Sequence, residues 1–199
     1  MTRNKVDMSK KVFIKALRLV QRCVMHHGQV ELNLCGIGES TMHPDFIEYL
    51  GITRSFLPNI NLVLASNGVK VKEEYIKAMA KYRVQYYVSM HRPEVAGPAI
   101  ELGKKYGVLT GVSADPAIAS IDWAGQVDWH VSTSNNMPCP WLTDSMVMVT
   151  AEGDLVTCCL DGDGVSKIGT VDDNISKLTP VPYSLCKSCH HTVPMRASA

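Results

Sequence analysis

Helical and strand patterns alternate along the first two-thirds of this 199-residue chain, and that rhythm restricts its fold more than any other feature. Ser9 suits the N-cap of a helix reaching about His27: Val12, Phe13, Ala16, Leu17, Val20 and Val24 recur at helical spacing, and Gly28 supplies a stop. Short apolar, β-branched runs follow at residues 30–34, 62–65, 84–89, 108–112 and 127–131. Between them lie helical stretches at 45–56, 72–82 and 93–106. Strands that alternate with helices of this length predict an α/β fold of parallel βα units, either a barrel or an open doubly wound sheet. In both architectures ligands gather at the carboxyl ends of the strands.

Four cysteines in the last third carry the strongest chemical signal. Cys139 sits in Met-Pro-Cys-Pro-Trp. Cys158 closes an expected β-hairpin with arms 146–150 and 155–159, turned at Ala151-Glu152-Gly153-Asp154. Cys186 and Cys189 form a Cys-x-x-Cys knuckle. An iron–sulfur cuboid takes one thiolate at each of several separated iron corners, so two distant single ligands plus one close pair meet its need. A zinc ribbon instead brings two close-spaced knuckles to one tetrahedral ion, and the first two cysteines here stand far apart in sequence. Zinc, a redox pair and plain packing of small thiols remain the other readings of these residues. Cys158 and Cys159 are neighbours on the expected strand, so they point to opposite faces and only one reaches a shared site. Cys159, Cys23 and Cys35 read as packing, His190 and His191 as solvent-facing, and the methionines as core filler.

Composition excludes several classes. A net charge of +1 without a Lys/Arg block leaves no electrostatic footprint for nucleic acid, and no apolar run approaches a membrane span. An odd count of seven cysteines without a secretory signal argues against a disulfide framework and for a reducing, cytoplasmic setting. With 46% hydrophobic residues the chain can bury a core as one domain plus a small appendage, taken here as residues 1–131 and 132–199. The polar run from Ser132 to Asn136 marks the junction. Asp161-Gly162-Asp163-Gly164 hints at a calcium loop but lacks the later bidentate glutamate, and reads as a turn.

Directly after the first strand comes Cys35-Gly36-Ile37-Gly38-Glu39-Ser40-Thr41-Met42-His43-Pro44-Asp45-Phe46. Gly38 lets a ligand approach the backbone, and Glu39 sets a carboxylate beside exposed N–H groups, which suits an amino group on a polar ligand. Taken alone, two glycines in a βα turn read first as a tight turn.

Together these segments resemble the radical S-adenosylmethionine superfamily, specifically members with a C-terminal SPASM or twitch extension. The segment from Leu34 to Ser40 is similar to that family's Gly-Gly-Glu-Pro motif, with Ser40 where proline is usual. Ala65-Ser66-Asn67-Gly68 and Val88-Ser89-Met90-His91 are similar to its later strand ends. The set Cys139, Gly153 with Cys158 after it, and Cys186-x-x-Cys189 resembles the ligands of one auxiliary [4Fe–4S] cluster. The resemblance therefore implies a partial βα barrel of that type followed by a small iron–sulfur module. It implies metal ligands Cys139, Cys158, Cys186 and Cys189, and a cofactor-binding edge of Gly38, Glu39, Ser66, Asn67 and Ser89, where weak S-adenosylmethionine affinity is expected.

One departure shapes the functional reading. The resembled family carries Cys-x-x-x-Cys-x-x-Cys after its first strand, and no such motif occurs in these 199 residues. The expectation is an iron–sulfur protein serving electron transfer or structure, without catalytic residues of its own and with a redox partner. The alternatives are a truncated or split radical enzyme acting on a peptide or small molecule, and a zinc-stabilised interaction module. The strand from Val30 to Leu34 would then be an open edge with no lysine or proline to block it. It invites a second copy or a partner chain.

Overall fold

The computed structural model describes residues 6–36, 38–90, 92–113, 138–174 and 178–189. These fall into two compact units: one takes residues from Phe13 onward through the parallel sheet, the other joins residues before it to the C-terminal part. The expected junction at 131/132, and the expected strand at 127–131, lie outside the described residues.

Helix α1 (Lys10–His27), which from Phe13 onward belongs to the first unit, leads into β1 (Glu31–Asn33), α2 (Phe46–Phe56), β2 (Asn61–Ser66), α3 (Glu73–Lys81), β3 (Gln85–Val88), α4 (Pro93–Lys105) and β4 (Leu109–Val112). The α1 start is capped as its sequence predicts, the Val12 N–H donating to Ser9 Oγ at 3.3 Å. Gly28 ends the helix with a φ of 76°, a backbone state that costs glycine nothing.

All four strands pair in parallel in the order β1-β2-β3-β4, with Leu32 opposite Leu62, Leu64 opposite Tyr86 and Val88 opposite Val112. Spatial order thus follows chain order. Right-handed crossovers that always step the same way place their helices on one face of the sheet, whereas a doubly wound sheet must reverse direction. The sheet is therefore singly wound, as in a barrel wall.

The buried face carries Leu62, Leu64 and Ser66 from β2 and Tyr86 and Val88 from β3. Helix α4 presses against it so closely that a Cβ on Gly103 would lie 3.1 Å from Leu109 and 3.4 Å from Tyr86. Among the helices, Phe13 stacks on Tyr49 at 4.3 Å and Phe46 meets Tyr75 edge-on. Leu50, Leu64, Ile76 and Met79 are fully buried, each contributing roughly 1.5–3 kcal/mol through lost water contact. Arg54 ties the end of α2 to neighbouring turns, donating to the carbonyls of Tyr82 at 2.6 Å, Ile60 at 2.7 Å and Arg83 at 2.8 Å.

The second unit holds helix α5 (Pro140–Thr143) and an antiparallel sheet β5-β6-β7 of Met148–Val149, Asp154–Val156 and Lys167–Thr170. The hairpin turns where expected. Gly153 adopts a φ of 93°, and the Thr150 N–H bonds the Asp154 carbonyl at 2.8 Å. Its second arm is shorter than expected, however, and stops at Val156 rather than 159. The reason lies in the next amides: the Thr157 N–H turns to Ser166 Oγ at 3.0 Å and the Leu160 N–H to Cys158 Sγ at 3.3 Å, both leaving the ladder. Cys158 and Cys159 thus follow the strand rather than lie on it, and the strand-alternation argument does not apply to them. The third strand, β7, was not expected from the sequence.

Asp161 is fully buried and accepts from the N–H groups of Val165 at 2.9 Å and Ser166 at 2.6 Å, and from the Ser166 hydroxyl at 2.6 Å. Asp-Gly-Asp-Gly is thus a turn clasped by its first carboxylate.

Candidate metal centre and strand-end loops

The four expected ligand cysteines line one cavity of the second unit. Cys139, Cys158, Cys186 and Cys189 share its wall with Thr157 and Tyr183, and Trp141, Leu142, Leu160 and Leu185 complete an apolar lining. Each thiol arrives on a different local device. Cys139 stands ahead of α5, where its carbonyl accepts from the Leu142 and Thr143 N–H groups at 3.1 and 3.0 Å, and it is 8% exposed. Cys158 follows β6. Cys186 rides a 3₁₀ turn, Ser184–Lys187, and Cys189 comes just after it. Cys159 does not line the cavity. Among the described residues, no three His, Cys, Asp or Glu side chains converge closely enough to hold a single ion. The thiols share a wall without meeting at a point.

Two of the sulfurs already accept amide hydrogens: Cys158 Sγ from Leu160 N–H, and Cys186 Sγ from Tyr183 N–H at 3.4 Å. Hydrogen bonds from Cys159 first and from the Leu160 amide, with the Tyr183 hydroxyl close by, bring the Cys158 thiol down to about 7 against the opposing effect of burial. Burial pushes the Cys186 thiol up, helped by Cys139 and Cys158 nearby. The hydroxyls of Thr157 and Tyr183 are buried and make no hydrogen bond of acceptable geometry, although Tyr183 lies near enough to Cys158 to interact electrostatically. Buried hydroxyls without partners are costly, and two on residues that line one thiol-rich cavity fit an acceptor seated there. Sequence reasoning missed both. Their only signal was position: Thr157 precedes Cys158, and Tyr183 stands three residues before Cys186. His190 and His191 lie outside the described residues.

At the carboxyl ends of the parallel strands, four of the five expected residues are joined by hydrogen bonds. Glu39 reaches across from the first loop to the second: its Oε2 accepts the Asn67 N–H at 2.9 Å, and its Oε1 accepts the Thr41 N–H at 3.1 Å and hydroxyl at 2.6 Å. The Ser66 carbonyl accepts the Ser89 N–H at 2.8 Å, and Ser66 Oγ accepts the Gly68 N–H at 3.1 Å. Asn67 Oδ1 caps its own turn at the Val69 N–H, 2.9 Å away. Gly38 is exposed beside Glu39, with nothing within 4 Å of where a Cβ would stand. Gly68 is needed for shape: its φ is 79°, and a Cβ there would lie 3.0 Å from Ala96 Cα and from the Val95 carbonyl oxygen. The Met90 N–H extends the network to Ser113 Oγ at the end of β4. Ile37 and His91 lie outside the described residues. Cys35 sits at this edge with its thiol pushed up, chiefly by burial.

No family model and no curated protein matches the chain. The α/β fold with its parallel four-stranded sheet is similar to that of solved structures. The particular structures that show it are BtrN in complex with AdoMet and 2-DOIA, at a TM-score of 0.69 and 15% identity over 87% of this chain and 70% of that one. Native anSMEcpe with bound AdoMet follows at 0.59 and 14%, over 87% of this chain and 71% of that one. Selenomethionine BtrN in an open conformation gives 0.59 and 15%, over 85% and 66%. At such identities the likeness establishes the fold alone.

Proposed function

We propose that this chain binds a [4Fe–4S] cluster through Cys139, Cys158, Cys186 and Cys189, for electron transfer or as a structural staple. The observation that carries the reading is that all four cysteines line one cavity, beside Thr157 and Tyr183, whose buried hydroxyls lack partners. A bound cluster supplies one-electron redox chemistry. The chain supplies the thiolates, the Leu160 and Tyr183 amides that stabilise two of them, and an apolar wall from Trp141, Leu142, Leu160 and Leu185 that limits water. Anaerobic purification with iron, labile sulfide and zinc measured on one sample tests it. About four irons and four sulfides per chain are expected. Replacing Cys186 or Cys189 with Ala removes most of the iron, and Cys23→Ala leaves it. Stoichiometric zinc without sulfide would select a zinc-stabilised interaction module.

A second reading concerns the strand-end loops, and BtrN and anSMEcpe, each holding AdoMet, favour it. The edge made by Gly38, Glu39, Ser66, Asn67 and Ser89 is proposed to bind S-adenosylmethionine weakly. These 199 residues carry no Cys-x-x-x-Cys-x-x-Cys, and four cysteine ligands leave a [4Fe–4S] cluster no open iron. The chain on its own is therefore proposed not to cleave S-adenosylmethionine. Multiple-turnover formation of 5′-deoxyadenosine would assign it to the radical enzymes instead.

The proposal includes a cytoplasmic setting, where thiols stay reduced, and a redox partner. Among the described residues no helix is long and apolar enough to cross a membrane. Within the described sheet β1 is bonded only to β2, so pairing of the stretch from Val30 to Leu34 with a second copy or partner strand is part of the same proposal. Sedimentation tests it: Leu32→Lys should turn a dimer into a monomer without loss of iron, and a wild-type monomer at high concentration would refute self-pairing.

A further inference from the structure

Among the described residues three buried side-chain oxygens lack a hydrogen-bond partner, and two of them belong to residues that line the four-cysteine cavity, Thr157 and Tyr183. The third, Tyr86 Oη, belongs to the parallel sheet. Leaving a buried hydroxyl unpaired is costly, so two on residues of one cavity wall are poised for an acceptor. Hydroxyls donate, and the acceptors that would share this cavity are sulfurs. The backbone already follows the same pattern, with the Leu160 and Tyr183 amides aimed at the Cys158 and Cys186 sulfurs. Tyr183 thus presents two donors to the site, its amide to Cys186 and its hydroxyl on the side of Cys158.

On the cluster-binding reading above, on which it rests, we infer that Tyr183 and Thr157 are positioning residues whose hydroxyls donate to sulfur of the bound cluster, Cys158 included once it is a ligand, and raise the reduction potential. The sign follows from charge. Reduction adds an electron to an already anionic group, donors stabilise the more negative state more, and losing a donor makes reduction harder. Neither side chain is needed to hold iron, because neither is a ligand.

The test compares anaerobically reconstituted full-length wild type, Tyr183→Phe and Thr157→Val, titrated with dithionite and followed by EPR and absorbance. Both variants should keep wild-type iron and sulfide. Tyr183→Phe should lower the reduced-to-oxidised ratio about tenfold at fixed potential, about 59 mV for one electron, and Thr157→Val should move it the same way by less. Resonance Raman should show altered Fe–S(Cys) stretches in Tyr183→Phe. In the cluster-free proteins, loss of an unpartnered hydroxyl should leave urea stability equal or higher. Unchanged potentials in both fully loaded variants would overturn the inference, and so would a cluster-free protein destabilised by either change, which marks a structural hydroxyl. Loss of iron from a well-folded Tyr183→Phe would also overturn it, making that residue a holder rather than a tuner. A wild type without labile sulfide would instead remove the cluster-binding reading itself, and this inference with it.

Discussion

Replacing Asp161 with alanine isolates what holds one wall of the thiol cavity in shape. Its carboxylate has no exposure and gathers three donors, two from Ser166 and one from the Val165 amide. Val165 is 64% exposed, so water can take over its N–H when the carboxylate is removed. Ser166 is 6% exposed, and its N–H and hydroxyl would be stranded. At roughly 1–3 kcal/mol for each orphaned group, Asp161→Ala should cost about 2–5 kcal/mol. Ser166 Oγ also accepts the Thr157 N–H, so the disturbance passes directly to the residue before Cys158. Asp161→Asn is the sharper companion. With its one oxygen placed at the Ser166 side it loses only the Val165 bond, and about 1 kcal/mol is expected. Urea unfolding followed by far-UV circular dichroism gives the differences, and hydrogen exchange over residues 157–166 shows where they arise. Calcium should rescue neither variant, because the carboxylate faces backbone. A loss below about 0.5 kcal/mol for Asp161→Ala, or equal losses for the two variants, would refute the clasp.

Glu39→Ala should cost about 1–3 kcal/mol, since buried Thr41 loses its acceptor, and should speed amide exchange at Asn67. Unchanged Asn67 exchange would show that the carboxylate does not join the two loops. Gly68→Ala should cost at least about 1–3 kcal/mol from its left-handed backbone alone, before the clash with α4 is counted, and thermal unfolding would reveal it. A neutral result there would remove the close approach. On the surface, the Glu73 carboxyl is held down to about 2 by the Tyr106 hydroxyl first and then by Lys105. Because its folded value lies below the usual 4.5, its stabilisation is present above pH 4.5 and fades as pH falls towards 2. Wild type and Glu73→Gln should therefore differ near neutrality and converge in acid, less so in high salt. Parallel stability curves across that window would contradict the assignment.

Local signals in the sequence predicted most of the fold. Ser9, the apolar stripe after it and Gly28 mark α1 because capping and helix stops act within a few residues. The four parallel strands are legible because each is a short apolar run between helical patterns. β7 was missed since Lys167-Ile168-Gly169-Thr170 has little pattern of its own and is a strand only because β6 pairs with it. The end of β6 was misplaced for a related reason: Ser166, nine positions away, captures the Thr157 amide. Cysteine spacing pointed to the thiol cavity, but Thr157 and Tyr183 became visible only through burial. Glu39 shows the limit most plainly. The sequence placed it beside N–H groups, and the structure shows that one of them belongs to Asn67 on another strand's loop.

Because every parallel strand pairs with the one synthesised before it, the sheet can grow in step with translation, each new βα unit finding its neighbour already in place. The thiol cavity has the opposite history. Cys139 leaves the ribosome long before Cys189, so the wall stays incomplete until Cys189 has emerged. On the cluster-binding proposal, metal loading is thus expected to be post-translational, onto a chain whose sheet is already folded. Pulse proteolysis of arrested nascent chains would show this as protection of the sheet before the cavity, and simultaneous protection would contradict it. On the same proposal the thiols that wait meanwhile are open to oxidation and to competing metals, so a cell making this protein under iron shortage or oxidative stress should accumulate a well-folded sheet with a damaged or wrongly metallated cavity.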